Sequence, residues 1–250
     1  AYQQADMVIK SALKLVSDAH APAILSMSTF ESGTRAEEST LKAHESTRDK
    51  ATNPFINLYE NVLLSTENWQ EYDVVGISIV GISQIIPGLT LARMIKEKYP
   101  HLHITLGGPI FSVNSKQLMG HPEFFQEFCD SIVTFEGEEP LHRLLTTLKN
   151  GSTLKSVPNL IFYEDEKIEF NEERVELRFE EMPPPTFDGL PMDLYLSPYP
   201  ILPVLQSRGC YWGKCTFCTH SFIYGHRYGK QRTEQMVNEL ESLAEKYKTK

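Results

Sequence analysis

The feature that most constrains the fold is a regular alternation of apolar strand patterns and helical patterns between Asp73 and Leu148. Residues 73–81 form a nearly continuous apolar run, which is typical of a strand buried on both faces of a parallel sheet. Further strands are predicted at 101–106 and 131–135, and residues with helical spacing follow each strand. The alternation therefore predicts an α/β domain with a Rossmann-like, doubly wound parallel sheet.

The turns that follow these three strands contain candidate ligand contacts. In α/β sheets of this kind, ligands bind outside the carboxyl ends of the strands. Glycine lets a ligand approach the backbone closely, and serine hydroxyls donate hydrogen bonds. The candidates are Ser78, Ser83, Gly107, Gly108, Glu136 and Gly137. Any fold of this type needs strand–helix turns, so the residues alone leave a purely structural role open.

The rest of the chain suggests further divisions. Residues 157–163 and 167–170 flank a polar turn and predict a β-hairpin. The prolines between 180 and 200 indicate a stiff, extended linker. We predict a Rossmann-like domain at 1–155 that is incomplete at its amino terminus, a hairpin and proline-rich linker at 156–199, and the first β/α unit of another domain at 200–250.

Composition excludes several classes of protein. The net charge of −9 over 250 residues argues against a nucleic-acid partner bound through a general basic field. The sequence contains no apolar run of 18 residues and no signal-peptide pattern. We therefore expect a cytoplasmic protein that has no membrane partner.

Three cysteines, Cys210, Cys215 and Cys218, lie within nine residues in the spacing C-x4-C-x2-C. The apolar run 200–205 predicts a strand before them, and residues 233–247 have helical spacing after them. A closed structural zinc site needs four ligands, and a fully protein-ligated iron–sulfur cluster usually takes four cysteines. Three thiolates would leave one iron of a cubane cluster open to another ligand.

Other roles for these thiols remain open. His220 or His226 would complete a zinc site, because thiolate and imidazole are good zinc ligands. The thiols could also be unliganded. A disulfide is not expected in a chain with four cysteines and no export signal. The fourth cysteine, Cys129, lies in an aromatic segment and is interpreted as a packing residue.

The cysteine loop resembles that of the radical S-adenosylmethionine (SAM) superfamily, whose usual spacing is C-x3-C-x2-C with an aromatic residue before the last cysteine. Phe217 fits that aromatic position, and the first spacing here is one residue longer. A Rossmann-like domain directly before such a loop resembles the cobalamin-binding-domain radical SAM enzymes. The strand with Gly76 and Ser78, the Leu-Gly-Gly turn at 106–108 and the Glu-Gly-Glu segment at 136–138 carry this resemblance, which covers roughly residues 70–250.

The resemblance implies a set of cofactors and an activity. Cys210, Cys215 and Cys218 would ligate a 4Fe–4S cluster, SAM would bind the open iron with Phe217 beside its adenosyl side, and cobalamin would lie at Gly76 and the turns of the Rossmann-like domain. The implied second domain is a (β/α) partial TIM barrel. The implied reaction is methylation of an unactivated carbon in a small molecule or a peptide, with reductive cleavage of SAM and a reductant such as flavodoxin or ferredoxin.

The sequence supports three other expectations. Asp18 and His20 resemble a motif that offers a lower axial imidazole to cobalamin, but a surface histidine at a helix end fits the context better. The alternatives to a cobalamin-dependent methyltransferase are a radical SAM enzyme with a vestigial cobalamin domain and a non-catalytic zinc-binding module. A barrel cannot close from one β/α unit, so we expect these 250 residues alone to be inactive.

Overall fold

The structure is a computed structural model that describes residues 2–173, 175, 178–195, 197 and 199–248. The chain divides into two compact units, Ala1–Val175 and Glu176–Lys250.

The first unit contains both helices and strands. Its helices are α1 (Tyr2–Ala19), α2 (Thr40–Ser46), α3 (Pro54–Leu58), α4 (Leu64–Thr66), α5 (Ile85–Lys98), α6 (Pro109–Val113), α7 (Ser115–Leu118), α8 (Pro122–Phe128) and α9 (Glu138–Lys149). Its strands are β1 (Ile24–Leu25), β2 (Phe30–Glu31), β3 (Val74–Ser78), β4 (His103–Gly107), β5 (Ser131–Val133), β6 (Leu160–Glu164) and β7 (Lys167–Phe170). Among the described residues, no helix is both long enough and apolar enough to cross a membrane.

The main sheet has five strands in the order β3-β4-β5-β6-β7. The three strands predicted from the alternation, β3 to β5, are parallel, whereas β6 and β7 are antiparallel to their neighbours. The α/β class is therefore confirmed, and the sheet is mixed instead of wholly parallel. The predicted hairpin is confirmed as β6 and β7. It is part of the main sheet, because β6 pairs with β5, and is not a separate segment after the sheet.

Both faces of the sheet are covered. Ile132 and Ile161 belong to the larger apolar core, to which α5 and α8 also contribute. Val133, Leu160 and Phe162 point to a second, smaller core that includes Leu144 of α9. Neighbouring residues of one strand thus enter different cores, as the period of two in a strand requires.

The strand order of the sheet bears on the predicted doubly wound arrangement. Its strands follow the order of the sequence, and α5 packs against α8. A doubly wound sheet reverses its strand order at one point, and that crevice is the usual ligand site. No such reversal occurs among the described strands of the first unit, so these strands do not confirm the doubly wound arrangement, which stays a prediction.

Asp130 connects neighbouring strands at the end of the sheet where β4 and β5 begin. Its backbone N–H donates to Ile104 O at 2.8 Å, and its carboxylate accepts the Ile104 N–H at 2.7 Å. Tyr163 N–H donates to Asp130 O at 3.2 Å, and Lys96 forms an ion pair with the carboxylate. The backbone and the side chain of this one residue thereby link β4, the start of β5, β6 and the last turn of α5.

The second unit contains β8 (Ser207–Gly209), α10 (His220–Ile223), β9 (Tyr228–Lys230) and α11 (Thr233–Tyr247). The strands β8 and β9 pair in antiparallel register, with Gly209 opposite Tyr228. The strand expected at 200–205 is absent from the described residues, and β8 begins only at Ser207. Pro200 and Pro203 explain the difference, because proline has no N–H to donate to a strand ladder. The helix expected at 233–247 is confirmed as α11.

Candidate metal centre and ligand-binding edge

The cysteine loop connects β8 to β9. It leaves β8 after Gly209 and returns at Tyr228, and Cys210 N–H donates to Arg227 O at 3.2 Å, which extends the ladder by one bond. The first thiol is thus attached to a hydrogen-bonded ribbon. Cys215 and Cys218 lie farther along the loop, where Cys218 N–H donates to Cys215 O at 3.3 Å.

Two glycines shape the loop around Cys210. Gly209 has a φ of +84°, and a Cβ there would overlap the carbonyl group of Arg227. Gly213 has a φ of +62°, and its N–H lies 3.5 Å from Cys210 Sγ. Glycine is the residue that adopts such angles without strain. The second turn therefore presents a backbone donor to the first thiol.

The three thiols differ in exposure. Cys210 is half-buried, Cys215 and Cys218 are exposed, and none forms a disulfide. Within the described part of the chain, no group of three or more His, Cys, Asp or Glu side chains is arranged to hold a metal ion. The assignment of these cysteines as metal ligands stays a prediction from the spacing and the donor chemistry.

Exposed aromatic residues lie next to the cysteines in the loop sequence. Phe217 is 88% exposed and Tyr211 is 83% exposed. Trp212 lies beneath Lys214, whose Nζ is 5.5 Å from the centre of its ring. Phe217, the residue predicted to contact the adenosyl side of SAM, is therefore accessible to a ligand, although nothing in its own surroundings fixes its role.

The two histidines of the zinc alternative have local roles in the loop. The His220 ring, in the first residue of α10, lies 4.7 Å from the Tyr224 ring between centroids. His226 adopts a φ of 58°, and its N–H donates to Ser221 O at 2.6 Å. These contacts explain both residues without a metal, and they do not decide between zinc and iron.

The turns predicted to contact cobalamin lie at one edge of the first unit's sheet. Ser78 is in register with Gly107, and Gly107 is in register with Val133, which immediately precedes the turn containing Glu136 and Gly137. Parallel pairing brings their carboxyl ends to the same edge. The structure therefore brings together residues that are 59 positions apart in the sequence, from Ser78 to Gly137.

Gly108 has a structural reason to be glycine. Its φ is +116°, and a Cβ would overlap the backbone carbonyl of Ile79. Ile79 N–H also donates to Gly107 O at 2.8 Å. The turns after β3 and β4 thus pack directly against each other, and this approach alone accounts for Gly108. By contrast, a Cβ at Gly107 or Gly137 would meet only ordinary contacts at 3.7 and 3.5 Å.

The turn after β3 is held by Gln84, a residue that the sequence pattern did not single out. Its Oε1 accepts the N–H groups of Val80 at 2.8 Å and Gly81 at 3.3 Å. These two amides are therefore occupied. Ser78 is exposed and Ser83 is half-buried, and among the described residues neither hydroxyl has a recorded hydrogen-bond partner. The hydroxyls, and not these amides, are the groups that this turn offers to a ligand.

The turn after β5 is anchored to its neighbours. Thr134 N–H donates to Asn159 O at 2.9 Å, and Phe135 N–H donates to Ser112 Oγ at 2.7 Å. Glu136 is buried, and Gly137 precedes the first turn of α9. Beside the starts of α5 and α6 lies a cavity of about 410 Å³, whose lining includes Ile85, Leu89, Ile110, Phe111 and Asn114. The candidate edge is therefore a set of hydrogen-bonded turns next to an open cavity that both apolar and polar residues line.

The possible lower axial ligand lies elsewhere in the first unit. His20 directly follows α1, and its Nδ1 lies 3.0 Å from Ala51 O. Asp18 forms an exposed ion pair with Lys14 at 3.0 Å. The helix that precedes His20 agrees with the sequence-based preference for a histidine at a helix end.

Similarity to known proteins covers most of this chain. It is 30% identical over 180 residues to an uncharacterized methyltransferase of Pyrococcus horikoshii, a match that covers 70% of this chain and 37% of that protein. It is 26% identical over 204 residues to the hopanoid C-3 methylase of Methylococcus capsulatus, covering 76% of this chain and 36% of that enzyme. No family model matches the chain.

Among solved structures, the chain is similar to OxsB, a cobalamin-dependent S-adenosylmethionine radical enzyme with aqua-cobalamin bound. The TM-score is 0.58 at 24% sequence identity, and the match covers 78% of this chain and 26% of OxsB. At this identity the likeness establishes the fold. The chain spans little more than a third of the length of the curated relatives that it matches.

Proposed function

Since the chain resembles the cobalamin-binding-domain radical SAM enzymes in its motifs and in its fold, we propose that it belongs to an enzyme that cleaves SAM reductively at a 4Fe–4S cluster and methylates an unactivated carbon with the help of cobalamin. The substrate is a small molecule or a peptide. The similarity to two methyltransferases supports the methyl-transfer part of this proposal.

The observation that carries the proposal is the loop with Cys210, Cys215 and Cys218. Its donor set fits an iron–sulfur cluster, because three thiols without disulfides lie on one loop within nine residues. The N–H of Gly213 lies beside Cys210 Sγ, and hydrogen bonds to cluster sulfur atoms are one means by which proteins tune the reduction potential. When bound, the cluster and its open iron supply the electron and the site for the sulfonium cofactor.

The residues of this chain hold and orient the cofactors. Cys210 would fix the cluster to the β8–β9 ribbon, while Cys215 and Cys218 close around it from the loop. Phe217, which is accessible on that loop, would cover the adenosyl side of SAM and exclude water there. Positioning and exclusion of solvent are the protein's contribution when cofactors carry the chemistry.

In the first unit, the turns after β3, β4 and β5 would hold cobalamin. Support comes from their shared edge and from the hydroxyls of Ser78 and Ser83, which are open to a ligand in the described structure. The close packing of Gly108 against Ile79 gives this edge a fixed shape before any ligand binds.

The proposal is tested by anaerobic reconstitution of the chain with iron and sulfide. We expect roughly four irons and four sulfides per chain, and loss of most of both in C210A, C215A and C218A. The matched control is C129A, because Cys129 is buried in the first unit and burial raises the pKa of its thiol well above the usual value, which makes it a poor ligand. The control should load like the parent chain.

The contrary outcomes are distinct. The chain could instead contain one zinc and no sulfide, with the zinc retained in C129A and lost in H220A or H226A. That result would contradict the radical SAM proposal and support the zinc-binding module. Titration of the reconstituted chain with cobalamin distinguishes a cobalamin-dependent methyltransferase from a radical SAM enzyme with a vestigial cobalamin domain. A chain that contains the cluster but does not bind cobalamin would favour the vestigial domain.

A further inference from the structure

Another cavity of the first unit, of about 440 Å³, has a markedly basic lining. None of its lining residues belongs to the turns at 79–84, 107–108 and 134–137, so it is separate from the candidate edge. The chain as a whole has a net charge of −9. The charged residues of the lining are nevertheless mostly cations, since they are Arg48, Lys50, Arg93 and Lys98 together with Glu60 and Glu97.

Two arginines of this cavity share one carboxylate. Glu97 forms an ion pair with Arg93 at 2.6 Å and with Arg48 at 3.2 Å, and Arg48 also pairs with Glu127. Partial burial lowers the pKa of Arg48, and the neighbouring Arg93 lowers it further, whereas Glu97 raises it. The two guanidinium groups therefore repel each other, and a bound anion would reduce that repulsion.

The lysine in the last turn of α5 has no acidic partner among the described residues. Lys98 is exposed, and its Nζ lies 3.4 Å from Leu64 O and 5.4 Å from the centre of the Tyr99 ring. By contrast, Lys50 forms an ion pair with Glu60 at 2.9 Å. Lys98 therefore gives the cavity a positive charge that no described carboxylate pairs with.

Arg93 is the buried cation of the lining. Its side chain is 9% exposed, with Nη1 donating to Glu97 at 2.6 Å and Nη2 donating to Thr47 O at 2.7 Å. Its Nε is buried and has no hydrogen-bond partner among the described residues. Buried polar groups nearly always have a partner, and an ion is one explanation for an exception. Arg93 thus contributes a fixed guanidinium with a donor for which the described fold supplies no acceptor.

Apolar side chains and an unusual helical turn complete the lining. Ile56, Leu64 and Met94 line the cavity, and Glu60 belongs to a π-helical turn, Tyr59–Leu63, between α3 and α4. Turns of this kind are rare and occur frequently at functional sites. The volume is within the range of small-molecule sites, so an anion with an apolar body fits better than a bare ion.

We propose that this cavity binds a phosphate group carried by a small organic molecule. Arg93 and Lys98 would hold the phosphate, because a guanidinium forms paired hydrogen bonds to phosphate oxygens and an ammonium adds a point charge. The organic part would pack against Leu64 and Met94. Binding makes and breaks no covalent bond, and it does not depend on the cysteine loop or on the proposed function.

The test measures binding of phenyl phosphate to the whole 250-residue chain by titration calorimetry. Inorganic phosphate, which has the charge without the ring, and phenol, which has the ring without the charge, are the comparison ligands. We expect saturable binding of phenyl phosphate, at least about threefold tighter than that of inorganic phosphate because the ring is removed from water. Phenol should bind much more weakly than either.

Matched variants locate the binding. K50Q with K98Q removes two cations of the lining, and K116Q with K149Q makes the same change in net charge on exposed lysines elsewhere in the first unit. The first pair should weaken binding of phenyl phosphate at least about tenfold, and the second less than about threefold, because solvent and salt screen distant charges. K50R with K98R keeps both charges and should bind within about threefold of the parent chain.

Several results would contradict the proposal. Absence of saturable binding of phenyl phosphate, or equal losses in the two glutamine pairs, would overturn it, and so would phenol binding as tightly as phenyl phosphate. Inorganic phosphate binding as tightly as phenyl phosphate would overturn the part that concerns an organic ligand. These measurements need neither iron nor cobalamin, so their failure would leave the proposed function unaffected.

Discussion

At the scale of single residues, His103 shows how burial affects protonation in the first unit. Its Nε2 lies 2.8 Å from Ser131 Oγ, and the Ser131 hydroxyl donates to Thr105 Oγ1 at 3.0 Å. Burial lowers the pKa of His103, while nearby Asp130 raises it by a smaller amount and Lys96 lowers it further. The imidazole is therefore held neutral at the start of β4.

This depressed pKa predicts a loss of stability in mild acid. The unfolded chain binds a proton near pH 6.5, whereas the folded chain resists it to lower pH, so the unfolded state carries more protons in between. The free energy of unfolding should fall as pH drops below about 6.5, by at most about 1.4 kcal/mol per pH unit from this one group. Urea titrations between pH 5 and pH 8 measure it.

The matched variants are H103Q and H101Q, since His101 is exposed and lies two positions earlier. H103Q should show a flatter dependence on pH in this range, and H101Q should follow the parent chain. Identical pH profiles for all three proteins would mean that His103 is not the group responsible.

Also at the residue scale, the structure gives some residues a role that differs from the one that the sequence suggested. Gly108 was interpreted as a place where a ligand approaches the backbone, and it is occupied by the Ile79 carbonyl of the neighbouring turn. Gln84 was not singled out, because a glutamine that accepts two backbone N–H groups has no signature in spacing. Cys129 was predicted to be a packing residue, and it is buried in the larger core.

At the scale of elements, the contact between the turns after β3 and β4 predicts a cost for Gly108→Ala. The positive φ and the overlap with Ile79 act together, so we expect a loss of about 2–4 kcal/mol in the free energy of unfolding. Gly151→Ala is the control, because Gly151 has a φ of +61° but open space around a Cβ, and it should cost about 1 kcal/mol. Chemical denaturation measures both, and equal costs would rule out the steric contribution.

Elements with strong local patterns were predicted well. The strands β3 to β5 and the helices α5, α9 and α11 follow from apolar runs and helical spacing, which are properties of neighbouring residues. The place of the hairpin in the sheet did not follow, because the pairing of β6 with β5 depends on residues about 30 positions apart. The strand expected at 200–205 is absent from the described residues for a local reason, because Pro200 and Pro203 interrupt the apolar run.

At the scale of the whole molecule, each unit contains one tryptophan, and the two differ in environment. Trp69 in the first unit is buried, and Trp212 in the second unit is 58% exposed. The fold of each unit can therefore be followed separately. We expect acrylamide to quench the fluorescence of the native chain in two components, of which W212F loses the accessible one and keeps the protected one. A single quenching component in the parent chain would contradict this difference in burial.

The sequence also predicted the general location of the candidate site in each unit, but not its geometry. The spacing of the cysteines and the glycine turns suggested both regions, because those signals lie in short segments, and both stay predictions. The exposure of Phe217 and the register of Ser78 with Gly107 depend on contacts between distant segments, so only the folded chain provides them.

The hydrogen bonds of Asp130 have a consequence for how this half of the molecule tolerates change. They tie the strands together at the end of the sheet where β4 and β5 begin, opposite the turns at 79–84, 107–108 and 134–137. Variation in those turns leaves the ties at the other end intact. The arrangement suits diversification, in which the same scaffold accepts new turn residues at positions other than Gly108, with a changed ligand preference, while its strand alignment persists.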